Sequence, residues 1–240
     1  HECRERTGHT ILERYGMTET GMNTSNPLDG ERRPGTVGPP LPGVQVRIVD
    51  NQEHDLPAGE TGQLLVKGAN VFKGYWRLPE KTAEEFSADG FFRTGDLARR
   101  DTNGYISIVG RAKDLIISGG FNIYPKEIEG YLDKLDGVLE SAVIGTPHPD
   151  FGEAVIAVIV RKSEATTLTE AGVIAALKSQ IAGFKVPKRV FVVTELPRNT
   201  MGKVQKNLLR DRDPLVTARQ RPAGDDGLCY RMSFPGSGEI

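Results

Sequence analysis

Four short stretches combine side chains that can do chemistry with glycines that let a ligand approach. In ERYGMTET (13–20), Tyr15 offers a flat ring, Gly16 a point of close backbone approach, Thr18 a hydroxyl and Glu19 a carboxylate. One such turn can stack a base, bond a phosphate and face a divalent ion, although a polar loop with a threonine helix cap uses the same residue types. In FRTGDL (92–97), Asp96 follows Gly95 on what reads as a tight turn. Its two oxygens can accept from both hydroxyls of a ribose, or close an Asx turn. GRAKDLIISGGFNIYP (110–125) places Arg111, a fixed fork of donors, ahead of Gly119 and Gly120. The fork suits ribose or phosphate oxygens and the glycine pair lets a thin ligand pass along the backbone; the other reading is a bulge beside a surface arginine. In PRNTMGKVQK (197–206), Lys203 follows Gly202 in a polar turn just before a helix.

The elements that must position these residues change style along the chain. From 35 to 110, VQVRIV (44–49), QLLVK (63–67) and YISIV (105–109) read as strands separated by DLPAGETG, SADG and DTNG turns. Val44, Val46 and Ile48 share one face. This spacing predicts a small β-barrel or a distorted sheet. After Gly110 strands and helices alternate. DLIIS is a strand and GGFN a turn; PKEIEGYLDKL (125–135) is a helix with Pro125 in its first turn and Ile128, Leu132 and Leu135 on one face. ESAVIG and AVIAVIVRK follow as strands. TLTEAGVIAALKSQIAG is a helix with a capping box from Thr167 to Glu170 and a stripe of Ile174, Leu177 and Ile181, and VFVV (190–193) is a last strand. The fold class is therefore α+β, with one domain over 1–110, a small mixed domain over 111–211, and a tail over 212–240 whose Gly, Pro and Arg content reads as disordered or foreign.

Composition narrows the function. Of 240 residues, 38% are hydrophobic and 26% charged, and the net charge is −1, which gives no electrostatic reason to expect nucleic acid or an anionic membrane as partner. No apolar run approaches the ~20 residues of a membrane span. Two cysteines, Cys3 and Cys229, lie far apart and suggest a reducing compartment. The four histidines show no metal-ligand spacing.

Taken in order, YGMTET, RTGD, GRAKDLIISGGFNIYPKEIE and PRNTMGKVQK resemble the adenylate-forming superfamily of acyl- and aryl-CoA synthetases, peptide-synthetase adenylation domains and beetle luciferases. The run from Glu13 to Asp50 looks like the malonyl-CoA synthetases. The resemblance covers residues 5 to 211 and implies a large domain ending near 110 and a small mobile domain after it. It implies activation of a carboxylic acid, malonate for the nearest group, by ATP with Mg2+ to an acyl adenylate, then transfer to coenzyme A with release of AMP. Matched by position, Tyr15 is the adenine-facing ring with Gly16 beside it in the cofactor site, Thr18 contacts phosphate, Glu19 is the magnesium-associated carboxylate, and Asp96 and Arg111 hold the ribose. Lys113 matches the hinge, Gly119 and Gly120 the turn lining the pantetheine path, and Lys203 the adenylation lysine. The family's phosphate loop has no match, so the chain is expected to be the C-terminal portion of such an enzyme, inactive alone. A cytoplasmic or mitochondrial-matrix setting is expected. The alternatives are a ligase for another fatty or aryl acid, with Arg32 and Arg33 then solvated rather than pairing with a second carboxylate, and a binding fragment without catalysis.

Overall fold

The computed structural model describes residues 2–163 and 168–211, which divide into two compact units between Lys113 and Asp114. The first unit opens with helix α1 (Glu2–Thr7) and the hairpin β1 (Arg14–Met17) and β2 (Gly21–Ser25). Its main sheet is an antiparallel meander of β3 (Gln45–Val49), β4 (Thr61–Lys67), β5 (Phe92–Arg100) and β6 (Ile106–Arg111), in that order, with α2 (Pro79–Glu85) between β4 and β5. Ile48, Leu64, Val66, Ala98 and Ile106 form its core, with Val44 and Val46 packed against them as the period-two pattern requires. Of the two expected forms, the sheet takes the distorted one: its ladders carry bulges opposite Gln63–Leu65 and at Leu97–Ala98.

A single turn of 3₁₀ helix, Ala112–Asp114, lies across the division. The second unit holds β7 (Ile116–Ser118), β8 (Phe121–Ile123), α3 (Pro125–Leu132), β9 (Val138–His148), β10 (Gly152–Arg161), α4 (Glu170–Lys178), β11 (Arg189–Val193) and α5 (Lys206–Asp211). Strand β10 is central: it pairs antiparallel with β9, parallel with β11 and touches β7 at Gly152. Ala154–Val160 is buried on both faces, which is why the run shows no polar alternation. One face packs Val155, Ala157 and Ile159 against Ile128 and Leu132 of α3 and Val173 and Leu177 of α4. The other packs Ile156, Val158 and Val160 against Leu196 and Leu209.

Several expected boundaries move. The α3 helix stops at Leu132, and Leu135 reaches the same core from the following turn. GGFN is only half turn: Gly119 and Gly120 form it, and Phe121 and Asn122 already belong to β8. The α4 cap is Thr169, whose hydroxyl accepts from the Gly172 amide; Thr167 lies outside the described residues. So do Cys229 and the tail from 212 onward. Among the described residues no helix is long and apolar enough to cross a membrane.

Packing and capping differ in weight in the second unit. Leu132→Ala should lower its unfolding free energy by about 2–5 kcal/mol, whereas Thr169→Ala should cost only about 1 kcal/mol. Urea titration followed by far-UV circular dichroism checks both; equal losses would mean that the α3 contact is not the core contact described here.

Candidate functional site

Tyr15 sits in β1, and the hairpin slips register between Tyr15 and Gly16. The backbones come so close there that only glycine fits: a Cβ on Gly16 would stand 2.2 Å from the Gly21 carbonyl oxygen. The close approach at Gly16 is therefore made by its own hairpin partner. The turn beyond is anchored from below. Buried Asn23 donates to the Thr20 hydroxyl at 2.7 Å, Asn70 donates to the Thr20 carbonyl at 2.7 Å, and the Phe72 amide donates to the Glu19 carbonyl at 2.8 Å. Thr18 is left exposed at the tip. The half-buried Glu19 side chain accepts from the Tyr75 hydroxyl at 3.3 Å, and burial, then the Glu19 charge, raises the Tyr75 phenol pKa.

Asp96 does not lie on a simple turn, as FRTGDL suggested, but inside β5. Leu97 faces Gln63 while Arg93 faces Leu65, so Thr94–Asp96 bulge out of the ladder. Gly95 takes a φ of +71°, and the Thr94 hydroxyl stitches the bulge by donating to the Leu64 carbonyl and accepting from the Asp96 amide. The bulge aims Asp96 at two partners. Its Oδ2 accepts from the Tyr15 hydroxyl at 2.5 Å and its Oδ1 pairs with Arg111 Nε at 2.8 Å, Arg111 being its register neighbour on β6. The carboxylate is only 6% exposed, while the Arg111 side chain is 46% exposed. Burial, reinforced by the bond to Asp96, pushes the Tyr15 phenol far above its usual range. Ring, carboxylate and guanidinium, separated by up to 96 positions in sequence, thus meet at one point. A buried carboxylate with donors on both oxygens is set up to accept from paired hydroxyls that replace them.

No group of three or more His, Cys, Asp or Glu among the described residues is placed to hold a metal ion. A magnesium ion held mainly by phosphate oxygens and water needs only one or two protein carboxylates, so Glu19 alone fits that role. Arg32 and Arg33 are both engaged within their own unit: Arg32 donates to the carbonyls of Thr10, Pro27 and Leu28, and Arg33 pairs with Glu31 and Asp101 against the Tyr105 ring.

Lys113 closes the first unit. In the second, Gly119 (φ +57°) and Gly120 (φ +81°) are the two central residues of the β7–β8 hairpin, a turn that needs positive φ at both. Exposed apolar side chains surround it: Ile117, Phe121 stacked on Phe184 at 4.4 Å, and Phe151, whose carbonyl accepts from the Gly119 amide and whose ring lies under the Lys188 ammonium. Elsewhere on this unit, Lys203 stands at the tip of a small hairpin closed by the Arg198–Val204 bridge. Asn199 Oδ1 accepts from the amides of Met201 and Lys203, and Gly202 turns at φ +77°. The backbone is pinned while the Lys203 side chain is exposed and pairs with no described residue.

Sequence reasoning missed Tyr75, the Thr20–Asn23–Asn70 anchor and the buried Glu129–Lys206 pair. The one available signal was Asn199: an Asn two residues before Met201 and three before a glycine is the pattern of an Asx turn.

The chain matches the family described as "AMP-binding enzyme" over residues 1–76 and "AMP-binding enzyme C-terminal domain" over residues 127–203. It is 45% identical over 216 residues to the probable CoA ligase CCL8 of Humulus lupulus and 42% identical over 220 residues to the malonate–CoA ligase of Arabidopsis thaliana. Those alignments take in 86% and 88% of this chain but only 36% of each relative. Crystalline ATP-bound MatB from Rhodopseudomonas palustris is 61% identical with a TM-score of 0.84, over 88% of this chain and 42% of that one.

The Tyr15–Asp96 bond has a signature in pH. A phenol whose pKa is raised by folding lends its full stability below the pKa of the unfolded chain, about 10, and loses it as pH rises past that value. Tyr15→Phe should lower the stability of the first unit by about 1–3 kcal/mol at neutral pH. The gap to the parent should narrow above pH about 10, because only the parent's unfolded state then gains by ionising at this position. Urea midpoints at pH about 7 and 10.5 test this; a gap that widens with pH contradicts a buried, protonated Tyr15.

Proposed function

Because the chain belongs to the AMP-binding enzyme family, we propose that the protein activates a carboxylic acid with ATP and passes the acyl group to coenzyme A. The observation that carries this is the meeting of Tyr15, Asp96 and Arg111 in one unit, with the lone Lys203 ammonium presented on a pinned hairpin in the other. The Tyr15 ring lies against adenine. Asp96 accepts from the ribose hydroxyls, which take over from the Tyr15 phenol, and Arg111 donates to the same sugar. The Thr18 hydroxyl contacts phosphate, and Glu19 would hold a magnesium ion, which would supply positive charge against the phosphates. A carboxylate oxygen of the acid attacks the α-phosphorus, the bond to diphosphate breaks, and an acyl adenylate forms. Lys203 lies between the attacking carboxylate and the α-phosphate and offsets the charge that builds there. In the second step the coenzyme A thiol loses its proton, its sulfur attacks the acyl carbon, and AMP leaves with the oxygen. The glycine turn at 119–120 and the exposed Phe121, Phe151 and Phe184 around it supply an apolar path for the pantetheine arm, and Lys188 a cation for its phosphates. Lys113, at the division between the units, is the hinge between the two steps. We place this chemistry in the cytoplasm, or in the mitochondrial matrix of a eukaryote.

Malonate is the acid we propose, on the identity to the Arabidopsis malonate–CoA ligase and to MatB. A ligase for another acid is the second reading, favoured by the engagement of Arg32 and Arg33 with their own unit, which leaves neither offered to a second carboxylate.

The test grafts residues 5–211 in place of the matching segment of R. palustris MatB and follows diphosphate release with a panel of acids. Malonate-dependent release is expected. Preference for a long monocarboxylic acid would remove the malonate assignment, and no release with any acid would remove the ligase reading. In the graft, Lys203→Ala should slow adenylation by about 10²–10³ while leaving thioester formation from supplied malonyl adenylate within about twofold. Equal loss of both half-reactions would show that Lys203 is structural.

A further inference from the structure

Lys203 is three residues ahead of α5, and α5 is strapped at both ends. Its first residue, Lys206, donates to Glu129 Oε1 at 2.6 Å, and near its end Arg210 donates to Asp114 Oδ1 at 2.8 Å. Glu129 is the unusual member. Its carboxylate is 8% exposed on α3, and the same oxygen that takes the Lys206 ammonium also accepts from the Val143 amide at 3.0 Å. Val143 belongs to β9, which pairs only with β10. One oxygen therefore joins α3, the outer edge of the sheet and the start of α5. Lys126, 4.0 Å from the other oxygen, is mostly exposed and adds little.

The hairpin between β11 and α5 is rigid within itself but has few attachments to the rest of the unit. Asn199 binds its backbone, and the Gln205 amide closes on the Pro197 carbonyl. On the entering side Arg198 reaches the Gly202 carbonyl and Glu140 of β9. On the leaving side Val204 packs against the core around Leu196 and Leu209, and the polar attachment is Lys206 to Glu129. Protecting the edge amide of Val143 does not call for a charge, since a neutral amide accepts as well. What the charge adds is a hold on Lys206.

Resting on the reading of Lys203 given above, we propose that Glu129 is a positioning residue for Lys203, acting through Lys206. A misplacement of about 1 Å at a reacting group can cost 10²-fold in rate, so the exit of the hairpin has to be fixed as firmly as its tip. The buried pair does this because releasing Lys206 would leave the Glu129 carboxylate, only 8% exposed, without its counter-charge.

Glu129→Gln keeps an acceptor for Val143 and nearly the same volume but gives up the charge. Lys206→Met removes the ammonium and keeps the stem, and Lys206→Arg restores a cation. In the full 240-residue chain, amide exchange should quicken about tenfold at Lys203 and Gln205 in the Gln and Met variants, equivalent to roughly 1.4 kcal/mol of local opening. The β10 amides from Val155 to Ile159 should stay within about twofold of the parent, and Lys206→Arg should recover the parent's loop exchange. Hairpin amides that do not move in either variant overturn the proposal. So does acceleration of hairpin and β10 by the same factor, which would mean general loss of stability. In the MatB graft, Glu129→Gln should lower the adenylation kcat about tenfold, with KM for ATP and the thioester half-reaction nearly unchanged. Unaltered adenylation in a graft whose hairpin has loosened also overturns it. If the parent graft does not adenylate at all, the functional reading has failed, and the exchange experiment still decides the structural part.

Discussion

A carboxylate taken out of water must be met by donors, and each unit is arranged around one such group. An ionised carboxylate left alone in a protein interior costs several kcal/mol. Asp96 is met by a phenol and a guanidinium, Glu129 by an ammonium and a strand-edge amide. In both cases the donors come from elements remote in sequence, so satisfying the charge also fixes tertiary placement. The β1 hairpin is tied to the main sheet of its unit through Asp96, and α5 is tied to α3 and β9 through Glu129. The two differ in how they are held. Around Asp96, Tyr15 is a neutral donor that a ligand hydroxyl can replace at little net cost. Around Glu129, both partners belong to the framework, and nothing small can take the place of Lys206 without leaving a buried charge unpaired.

The backbone that presents these side chains is shaped by bulges and left-handed turns. Gly95 in the β5 bulge, Gly119 and Gly120 in the β7–β8 turn and Gly202 beside Lys203 all have positive φ. A bulge re-aims one side chain out of a regular ladder, which is how Asp96 turns toward Tyr15. Loops built in this way are exposed and yet defined, because side-chain oxygens such as those of Thr94 and Asn199 take up their backbone amides.

This division between ladder and bulge also explains what could be read from the sequence. Strands β3, β4 and β6 of the meander, β9, β10, β11 and the apolar faces of α3 and α4 follow from period and composition, since Val46 and Ile48, or Ile128 and Leu132, are spaced by the geometry of their own element. Strand β5 was hidden because Gly95 and Asp96 are turn residues by local preference, and only pairing with both β4 and β6 overrides it. The short β2 and β8 strands, each completing a hairpin around glycines, were hidden in the same way. Tyr15, Asp96 and Arg111 were singled out by motif, whereas the Tyr15–Asp96 contact, spanning 81 positions, has no local signal. Glu129 and Lys206 carry no signal in the sequence that would pair them. Their burial depends on α3 and α5 approaching the same strand edge, which no local pattern records.

The last link is between the division of the chain and the pinned lysine. Asp114, the first residue of the second unit, is held by Arg210 of α5, and the other end of α5 is held by Glu129. The segment that leaves the first unit is thus bonded to the helix that follows Lys203. On the function proposed here, a rotation about Lys113 is handed directly to that helix and does not have to travel through the sheet. What the arrangement rests on is charge pairing: the same helix that is held beside the lysine hairpin by Lys206 and Glu129 is held to the first residue of the unit by Arg210 and Asp114.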